Sequence, residues 1–267
     1  MKQFVVLFAL ALATASANFI PQPGFPEGRI INGYEAEKGE APFIVSLQST
    51  SGSHFCGGSI LRKDVVLTAA HCLTSKDGQV VAGAHSYKNK EDVQVRKFTN
   101  AQYVVHEKYS GGVGPNDIGL ILLKDNPFNL NAVSRDGSNP VSAVNLPSKT
   151  FEGTGEGFLY GWGRDNSGSL PENLQKLDTN VIGYSECKAA LPSNSPVAQS
   201  NVCSYTAGKP DGACNGDSGG PLVTKSESGV VQQVGIVSWG YTPCATTTYP
   251  SVFTAVSEFK DWINENC

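Results

Sequence analysis

The sequence predicts an all-β fold of the sandwich or barrel type. Short apolar and β-branched runs recur between turn signals along the chain, a spacing that is typical of antiparallel strands. Helical periodicity is absent over most of the sequence, which argues against helices that alternate with parallel strands. The predicted strands cover residues 43–47, 65–68, 93–95, 118–123 and 230–239.

A helix is predicted at the C-terminal end. Val256, Phe259, Trp262 and Ile263 recur at positions i, i+3, i+6 and i+7, which puts them on one face of a helix. We therefore expect a helix over residues 256–266.

Composition argues against nucleic-acid binding. The 267 residues are 16% charged, with a formal net charge of -4. This is typical of a globular protein that lacks the basic surface of a nucleic-acid binder. The length suffices for one large domain or two small ones.

The first residues have the pattern of a secretory signal. Met1-Lys2-Gln3 is followed by an apolar run over residues 4–13 and by Ala15-Ser16-Ala17, small residues of the kind that precede a cleavage site. A membrane anchor is the alternative, but this run is too short to cross about 30 Å of hydrocarbon, and no later stretch is long enough. We expect residues 1–17 to be removed and the protein to be secreted, without a membrane partner.

Two separated motifs point to a serine nucleophile with a histidine base. The first is Thr68-Ala69-Ala70-His71-Cys72, and the second contains Asp217-Ser218-Gly219. A serine hydroxyl is a poor nucleophile at neutral pH, so Ser218 needs a base within hydrogen-bond reach, and His71 is the candidate. Asp117 lies between them in the chain and would fix the tautomer of the imidazole and stabilise the imidazolium.

The order of the serine, histidine and aspartate along the chain distinguishes the folds that use such a serine. Residues 216–220 also fit the G-x-S-x-G elbow of α/β-hydrolases, in which the histidine follows the serine. Here all four histidines precede Ser218: His54, His71, His85 and His106. The order His, Asp, Ser is that of the chymotrypsin arrangement, whereas the subtilisin arrangement needs the aspartate first.

Seven short motifs follow one another along the chain: Ile30-Ile31-Asn32-Gly33, Cys56-Gly57-Gly58-Ser59, Ala69-Ala70-His71-Cys72, Asp117-Ile118, Gly161-Trp162-Gly163, Asp217-Ser218-Gly219-Gly220-Pro221 and Ser238-Trp239-Gly240. On these motifs, residues 30–267 resemble a chymotrypsin-family (S1) serine endopeptidase, similar in style to insect digestive enzymes. The resemblance implies two antiparallel six-stranded β-barrels, a linker near residues 124–147 and the C-terminal helix. It also implies catalysis by His71, Asp117 and Ser218, and an oxyanion hole formed by the N–H groups of Gly216 and Ser218.

The resemblance further implies a zymogen. Residues 18–29 are rich in proline and glycine and end at Arg29, where members of the family are cut. A trypsin-like protease that cuts after Arg29 would create an ammonium on Ile30. This ammonium would insert beside the buried Asp217 and order the oxyanion loop. A disordered N-terminal arm is the alternative for this segment.

The seven cysteines suit a secreted, disulfide-bonded protein. Spacing alone does not select a pairing, but the resemblance implies Cys56 with Cys72, Cys187 with Cys203, and Cys214 with Cys244. Cys267 is left over. No Cys or His spacing resembles a zinc site, and Ala84 stands where some relatives have a calcium ligand, so we expect no metal and no cofactor.

The resemblance places Gly212 at the base of the primary specificity pocket, where trypsin-like members carry an aspartate. Without that carboxylate, a basic side chain would be desolvated unpaired, at a cost of several kcal/mol. Asp211 would substitute for it only in an unusual register of the loop. Gly240 leaves the mouth open, and Ser251 is assigned to the far wall. An open neutral pocket favours Phe, Tyr, Leu or Met, so chymotrypsin-like specificity is the leading interpretation, with elastase-like or broad collagenolytic-type specificity as the alternative.

An extended peptide is the expected ligand, paired with the backbone of Ser238, Trp239 and Gly240. The expected partners are protein or peptide substrates, an activating protease and protein protease inhibitors, and the enzyme is expected to be a monomer. The short propeptide suits digestion in a gut lumen. A second hypothesis, a non-catalytic secreted binding homologue, requires the loss of a triad residue or of the activation site, and all of these are present.

Overall fold

The computed structural model describes residues 30–267 apart from 75–76, 90, 136–139, 149–150, 153 and 245. The predicted signal peptide (1–17) and propeptide (18–29), including Arg29, lie outside the described residues.

Strands dominate the described residues. In chain order they are β1 (Tyr34–Glu35), β2 (Ile44–Ser49), β3 (His54–Arg62), β4 (Val65–Thr68), β5 (Gly78–Ala82), β6 (Gln94–Phe98), β7 (Tyr103–Val105), β8 (Gly119–Leu122), β9 (Thr154–Gly161), β10 (Gln175–Ile182), β11 (Asn201–Ser204), β12 (Pro221–Lys225), β13 (Val231–Trp239) and β14 (Ser251–Ala255). The α-helices are α1 (Tyr184–Ala190) and α2 (Lys260–Asn266), and short 3₁₀ turns cover Ala70–Cys72, Asn100–Gln102 and Val256–Phe259.

The strands form two antiparallel sheets of seven strands each, so the predicted all-β, trypsin-like fold class is confirmed. The C-terminal sheet has the order β1-β10-β11-β14-β13-β12-β9, and a further pairing of β9 with β10 closes six of its strands into a barrel. The N-terminal sheet has the order β6-β5-β2-β3-β4-β8-β7. In this sheet β6 and β7 remain edges within the described residues, so it is a curled half-barrel and not the second closed barrel that was expected.

Each sheet wraps around an apolar core. Strands β2, β4 and β8 are rich in β-branched and large apolar residues and are almost fully buried, which is the composition that favours strands packed on both sides. Between the sheets, Phe43 and Ile44 pack in one cluster with Tyr160 and Trp162. The fully buried side chains include Leu47, Ile60, Leu67 and Leu120 in the first sheet and Leu159, Leu222 and Phe253 in the second.

The C-terminal helix packs against the N-terminal sheet. Val256, Phe259 and Ile263 belong to the core cluster of that sheet, with Trp262 beside it. The predicted segment 256–266 begins with a 3₁₀ turn and continues as α2. No helix of the described residues is both long and apolar enough to cross a membrane.

The topology brings three distant chain segments to the junction of the sheets. His71 lies in the 3₁₀ turn after β4, and Asp117 lies just before β8. Ser218 lies in the loop between β11 and β12. The predicted base and the predicted acid thus come from the N-terminal sheet, and the predicted serine nucleophile comes from the C-terminal sheet.

Candidate active site

His71 is held by Asp117 through two hydrogen bonds. The backbone N–H of His71 donates to Asp117 Oδ1 at 3.0 Å, and His71 Nδ1 lies 2.8 Å from Asp117 Oδ2. The carboxylate can only accept, so Nδ1 carries the proton. In the neutral ring the other nitrogen, Nε2, is then the one that can accept a proton.

Asp117 is anchored from both sheets and is 1% exposed. Ser238 Oγ, at the end of β13, donates to Asp117 Oδ2 at 2.6 Å, and Thr254 Oγ1, on β14, donates to the backbone oxygen of Asp117 at 2.8 Å. Asn116 precedes it with a φ of 63°, a left-handed conformation that asparagine tolerates better than most residues. Ser238, whose backbone is predicted to pair with the substrate, therefore directs its hydroxyl to Asp117.

The loop that carries Ser218 packs tightly against the segment that leads to His71. Gly57 N–H, on β3, donates to the Ser218 carbonyl at 2.8 Å. Gly219 has a φ of 77°, and a side chain there would collide with Thr68 and with the Gly57 carbonyl. In the described part of the chain no hydrogen bond joins Ser218 Oγ to His71 Nε2. Such bonds are often long before substrate binds.

The N–H groups of Gly216 and Ser218 are available as donors. The N–H groups of the residues that follow them already donate hydrogen bonds. Asp217 N–H donates to Cys214 O at 2.9 Å, and Gly219 N–H donates to Val237 O at 2.8 Å. Neither Gly216 nor Ser218 donates a backbone hydrogen bond within the described residues. Gly216 has a φ of 104°, which glycine adopts readily.

A buried histidine outside the predicted site, His54, holds this loop. His54 Nε2 donates to the Gly216 carbonyl at 2.9 Å, and Ser46 Oγ lies 2.8 Å from His54 Nδ1. The ring is buried, and this desolvation lowers the pKa of His54 to about 4. His54 is therefore neutral near pH 7 and acts as a fixed donor to the backbone beside the serine.

Asp217 is fully buried without a cationic partner among the described residues. Its carboxylate accepts from Gly163 N–H at 2.8 Å and from Cys214 N–H at 2.9 Å. Burial outweighs these bonds and raises the pKa of Asp217 to about 7. The segment that begins at Ile30 lies nearby: Ile30 is buried in the core of the C-terminal barrel, and Ile31 O accepts from Gly212 N–H at 3.3 Å.

A cavity of about 150 Å³ opens beside Ser218. Its lining contains no charged side chain in the part of the chain described. The lining residues are Ala213, Cys214, Asn215, Ser218, Val237, Ser238, Trp239, Gly240, Tyr241, Thr242 and Cys244. Ser238, Trp239 and Gly240 were predicted to bind substrate, whereas Tyr241 and Thr242 were not.

Gly212 and Ser251 pack together behind this lining. Ser251 Oγ accepts from Ala213 N–H at 3.1 Å, and its side chain occupies the space that a side chain on Gly212 would need. A Cβ added to Gly240 would lie 4.0 Å from the same hydroxyl. Asp211 is half-buried, which raises its pKa, and its carboxylate is hydrogen-bonded to Thr206. That carboxylate is not part of the cavity lining.

The structure forms the three disulfides that the resemblance implies. Cys56–Cys72 joins β3 to the His71 turn, Cys187–Cys203 joins α1 to β11, and Cys214–Cys244 forms one wall of the cavity. Cys267 is a half-buried thiol. Potential ligand atoms of Cys56, His71 and Cys72 lie within 4.8 Å of one another, but the two sulfurs are bonded to each other and are not thiolates, so the group cannot act as a metal site.

The two remaining histidines lie away from the cavity. His85 Nε2 is 3.0 Å from Glu35 Oε1. His106 packs against the rings of Phe259 and Trp262.

Comparison with known proteins gives one family. The family model described as Trypsin matches residues 30–263. The chain is 59% identical to Lectizyme of Glossina austeni over 268 residues, which covers 99% of this chain and 97% of that protein. It is 36% identical to Trypsin beta of Drosophila erecta, with both chains fully covered, and 35% identical to Trypsin alpha-4 of Lucilia cuprina over 98% of this chain and 97% of that protein.

Proposed function

Because the chain belongs to the trypsin family of serine proteases, we propose that it hydrolyses peptide bonds through His71, Asp117 and Ser218. One observation carries the assignment. The buried carboxylate of Asp117 holds His71 Nδ1 at 2.8 Å, in a turn that packs against the Ser218 loop. With the proton of a neutral ring on Nδ1, Nε2 can serve as the base that the proposal assigns to it.

The mechanism follows the template of the family. Ser218 Oγ attacks the carbonyl carbon of the substrate while His71 Nε2 takes the hydroxyl proton. The tetrahedral oxyanion accepts hydrogen bonds from the Gly216 and Ser218 N–H groups, and His71 then gives its proton to the leaving amine. Water repeats the sequence on the acyl-enzyme and releases the acid product. Asp117 remains ionised throughout and stabilises the imidazolium.

The preferred residue before the scissile bond is proposed to be large and apolar or aromatic. A cavity of about 150 Å³ is of the size that holds a benzene ring. A lysine or arginine side chain would meet no carboxylate in this lining and would lose its hydration without compensation. We therefore propose chymotrypsin-like specificity, although several relatives carry the name trypsin. Elastase-like or broad collagenolytic-type specificity is the alternative.

The enzyme is proposed to be a secreted monomeric zymogen, activated by a cut after Arg29 and sensitive to protein inhibitors. The buried carboxylate of Asp217 supports the activation step. A new ammonium on Ile30 would supply the cationic partner that this carboxylate lacks among the described residues. A digestive role is the setting that we propose.

The test uses peptide anilides that end in Phe, Leu, Ala or Arg. The purified chain is treated with immobilised trypsin, which is then removed, so that no added protease remains in the assay. Activity on Phe or Leu that requires this treatment, and that is absent in Ser218→Ala and in the uncleavable Arg29→Gln, supports the proposal. Preference for Ala moves the specificity to elastase-like, and preference for Arg contradicts the neutral pocket. A folded, correctly cleaved chain without activity on any of the four contradicts the assignment as an enzyme.

A further inference from the structure

The sequence contains two Asn-Gly steps, at residues 32–33 and 215–216. Asparagine is among the chemically labile residues. The backbone nitrogen of the next residue can attack its carboxamide carbon, and a glycine at that position has no side chain to shield the nitrogen. The surroundings of each step therefore decide whether it can react in the folded protein.

The first step is restrained by hydrogen bonds. Asn32 Nδ2 donates to the Pro210 carbonyl at 2.8 Å, and Asn32 Oδ1 accepts from Asn166 Nδ2 at 3.1 Å. The nitrogen that would attack is also engaged, because Gly33 N–H donates to the Ile30 carbonyl at 2.6 Å. A reaction at this step must first break the bond of the Gly33 N–H and release the carboxamide.

The second step lacks these restraints within the described residues. The side chain of Asn215 is exposed and makes no hydrogen bond in that part of the chain, and Gly216 N–H donates none there. Asn215 lines the cavity beside Ser218 and also a second cavity of about 520 Å³, so water reaches its carboxamide. The attacking nitrogen and the carboxamide carbon can therefore meet without the loss of a hydrogen bond between described residues.

We propose that Asn215 is a site of spontaneous deamidation that limits the working life of the enzyme. The Gly216 nitrogen loses its proton to water or hydroxide and bonds to Asn215 Cγ, and the Cγ–Nδ2 bond breaks with release of ammonia. Water then opens the succinimide ring. Cleavage of the ring at the new bond leaves aspartate, and cleavage at the original peptide bond leaves isoaspartate. Overall, one water is consumed and one ammonia is released.

Isoaspartate would disrupt the proposed oxyanion hole. It routes the main chain through Cβ and Cγ, which lengthens the chain by one carbon atom and turns the former Asn215 carbonyl into a carboxylate. Hydrogen bonds hold this loop on both sides, because the Asn215 carbonyl accepts from Arg164 N–H at 2.8 Å and the Gly216 carbonyl accepts from His54 Nε2 at 2.9 Å. We expect Gly216 N–H to be displaced, and the loss of one such donor costs roughly 100- to 1,000-fold in kcat.

The nitrogen that attacks Asn215 is also a proposed donor to the substrate. A tetrahedral adduct on Ser218 would place its anionic oxygen against the Gly216 N–H, which would then resist deprotonation. A ligand in the oxyanion hole is therefore expected to protect Asn215. The deamidation chemistry is independent of the proposed protease function, whereas this protection and the effect on activity rest on that function.

The chemistry is tested in Ser218→Ala, which removes the proposed nucleophile. The trypsin-cleaved chain is incubated at alkaline pH, and peptide mapping by mass spectrometry measures aspartate and isoaspartate at residues 32 and 215. We expect conversion at residue 215 to be faster by about tenfold or more in the folded chain, a factor that corresponds to two hydrogen bonds. In guanidinium the two steps should react at similar rates.

Asn215→Gln is the matched control for this experiment. Its longer side chain would have to close a six-membered ring, so conversion at residue 215 should be lost. Absence of aspartate and isoaspartate at residue 215 in the folded Ser218→Ala chain, or equal conversion at residues 32 and 215, would overturn the proposed site.

The effect on activity is tested with the activated wild-type enzyme. The isoaspartate form is separated by ion exchange, and its kcat on the Phe anilide should be roughly 100- to 1,000-fold below that of the unmodified fraction. A peptide boronic acid that ends in Phe, which forms a tetrahedral adduct with an active-site serine, should slow deamidation of Asn215 in the wild type and not in Ser218→Ala. An isoaspartate fraction with full kcat, or an inhibited enzyme that deamidates at the unprotected rate, would contradict the link to the oxyanion hole.

Failure of the site and failure of the protease function are distinguishable. If the folded Ser218→Ala chain deamidates at residue 215 but the activated wild type cleaves no anilide, the modification site stands and the protease function fails. If the wild type cleaves the anilides and residue 215 stays asparagine in the folded chain, the protease function stands and the modification site fails.

Discussion

Ser251→Asp is expected to make the proposed pocket anionic and to bring arginine and lysine into its substrate range. Ser251 Oγ accepts from Ala213 N–H at 3.1 Å, and the residue is 7% exposed, so a carboxylate there would keep this donor and lie directly behind Ala213 of the cavity lining. A carboxylate and a guanidinium about 4 Å apart attract by roughly 4 kcal/mol at an effective dielectric constant of about 20. At about 1.4 kcal/mol per factor of ten, this attraction corresponds to about a thousandfold in kcat/KM.

The assay is the ratio of kcat/KM for two anilides that differ only in Arg or Phe before the scissile bond, measured on activated, active-site-titrated enzyme. Ser251→Asn is the uncharged control and should keep the ratio near that of the wild type. Gly212→Asp should not reproduce the gain. Its φ of 147° disfavours a side chain, and Ser251 fills the space, so this variant is expected to unfold at a lower temperature. An unchanged ratio in titrated Ser251→Asp would refute the proposal that a charge behind the Ala213 wall acts on the residue bound in the cavity.

Three other perturbations test the oxyanion loop and its supports. Gly216→Ala should lower kcat about 100- to 1,000-fold with little change in KM, because its φ of 104° is strained and the new Cβ would lie 3.0 Å from Gly163 Cα; steady-state kinetics on the Phe anilide measures this. The folded chain holds a proton on Asp217 up to about pH 7, while the unfolded chain releases it near 3.8, so the stability of the uncleaved chain should fall as pH rises through this range. Cleavage after Arg29 should remove this dependence of stability on pH. Melting temperatures of Ser218→Ala, measured as a function of pH before and after cleavage, test this expectation. The same dependence in both forms would contradict an ammonium beside Asp217. The effect of His54 on stability changes with pH in the opposite direction. Its pKa drops from 6.5 to about 4 on folding, so the free energy of unfolding should fall as pH drops from 6.5 toward 4. Urea titrations across this range should show a weaker dependence in His54→Gln, and an identical dependence would indicate that His54 is not the group that titrates.

Strands with a dense β-branched pattern could be read from the sequence, and strands that depend on their neighbours could not. Strand β4 (Val65–Thr68) coincides with the predicted run, and β13 (Val231–Trp239) lies within one residue of it. Strand β9 (Thr154–Gly161) contains three glycines and a glutamate, and its extended state is stabilised by pairing with β10 and β12. Helix α1 (Tyr184–Ala190) has only seven residues, too few for a periodic pattern, and the Cys187–Cys203 disulfide ties it to β11.

The same distinction holds for the candidate site. Ser218, His71 and Asp117 stand in short motifs whose order along the chain is informative. His54 gave no such signal, because its contact with Gly216 spans 162 residues and depends on the fold alone. The contact between the rings of Tyr241 and Tyr249, whose centroids lie 5.0 Å apart, gave no signal either, because it also depends on the fold.

Because Asp117 is held by contacts from both sheets, the proposed catalysis depends on how the two sheets fit together. The acid sits on the N-terminal sheet, yet hydroxyl groups of Ser238 and Thr254, from the C-terminal sheet, hold it. A small slip between the sheets would therefore disturb the acid without unfolding either sheet. Substitutions at distant contacts between the sheets, such as the cluster around Phe43 and Tyr160, would then lower the turnover rate before they lower the melting temperature. A ligand that spans the cleft would tie the halves together and favour their unfolding as a single unit.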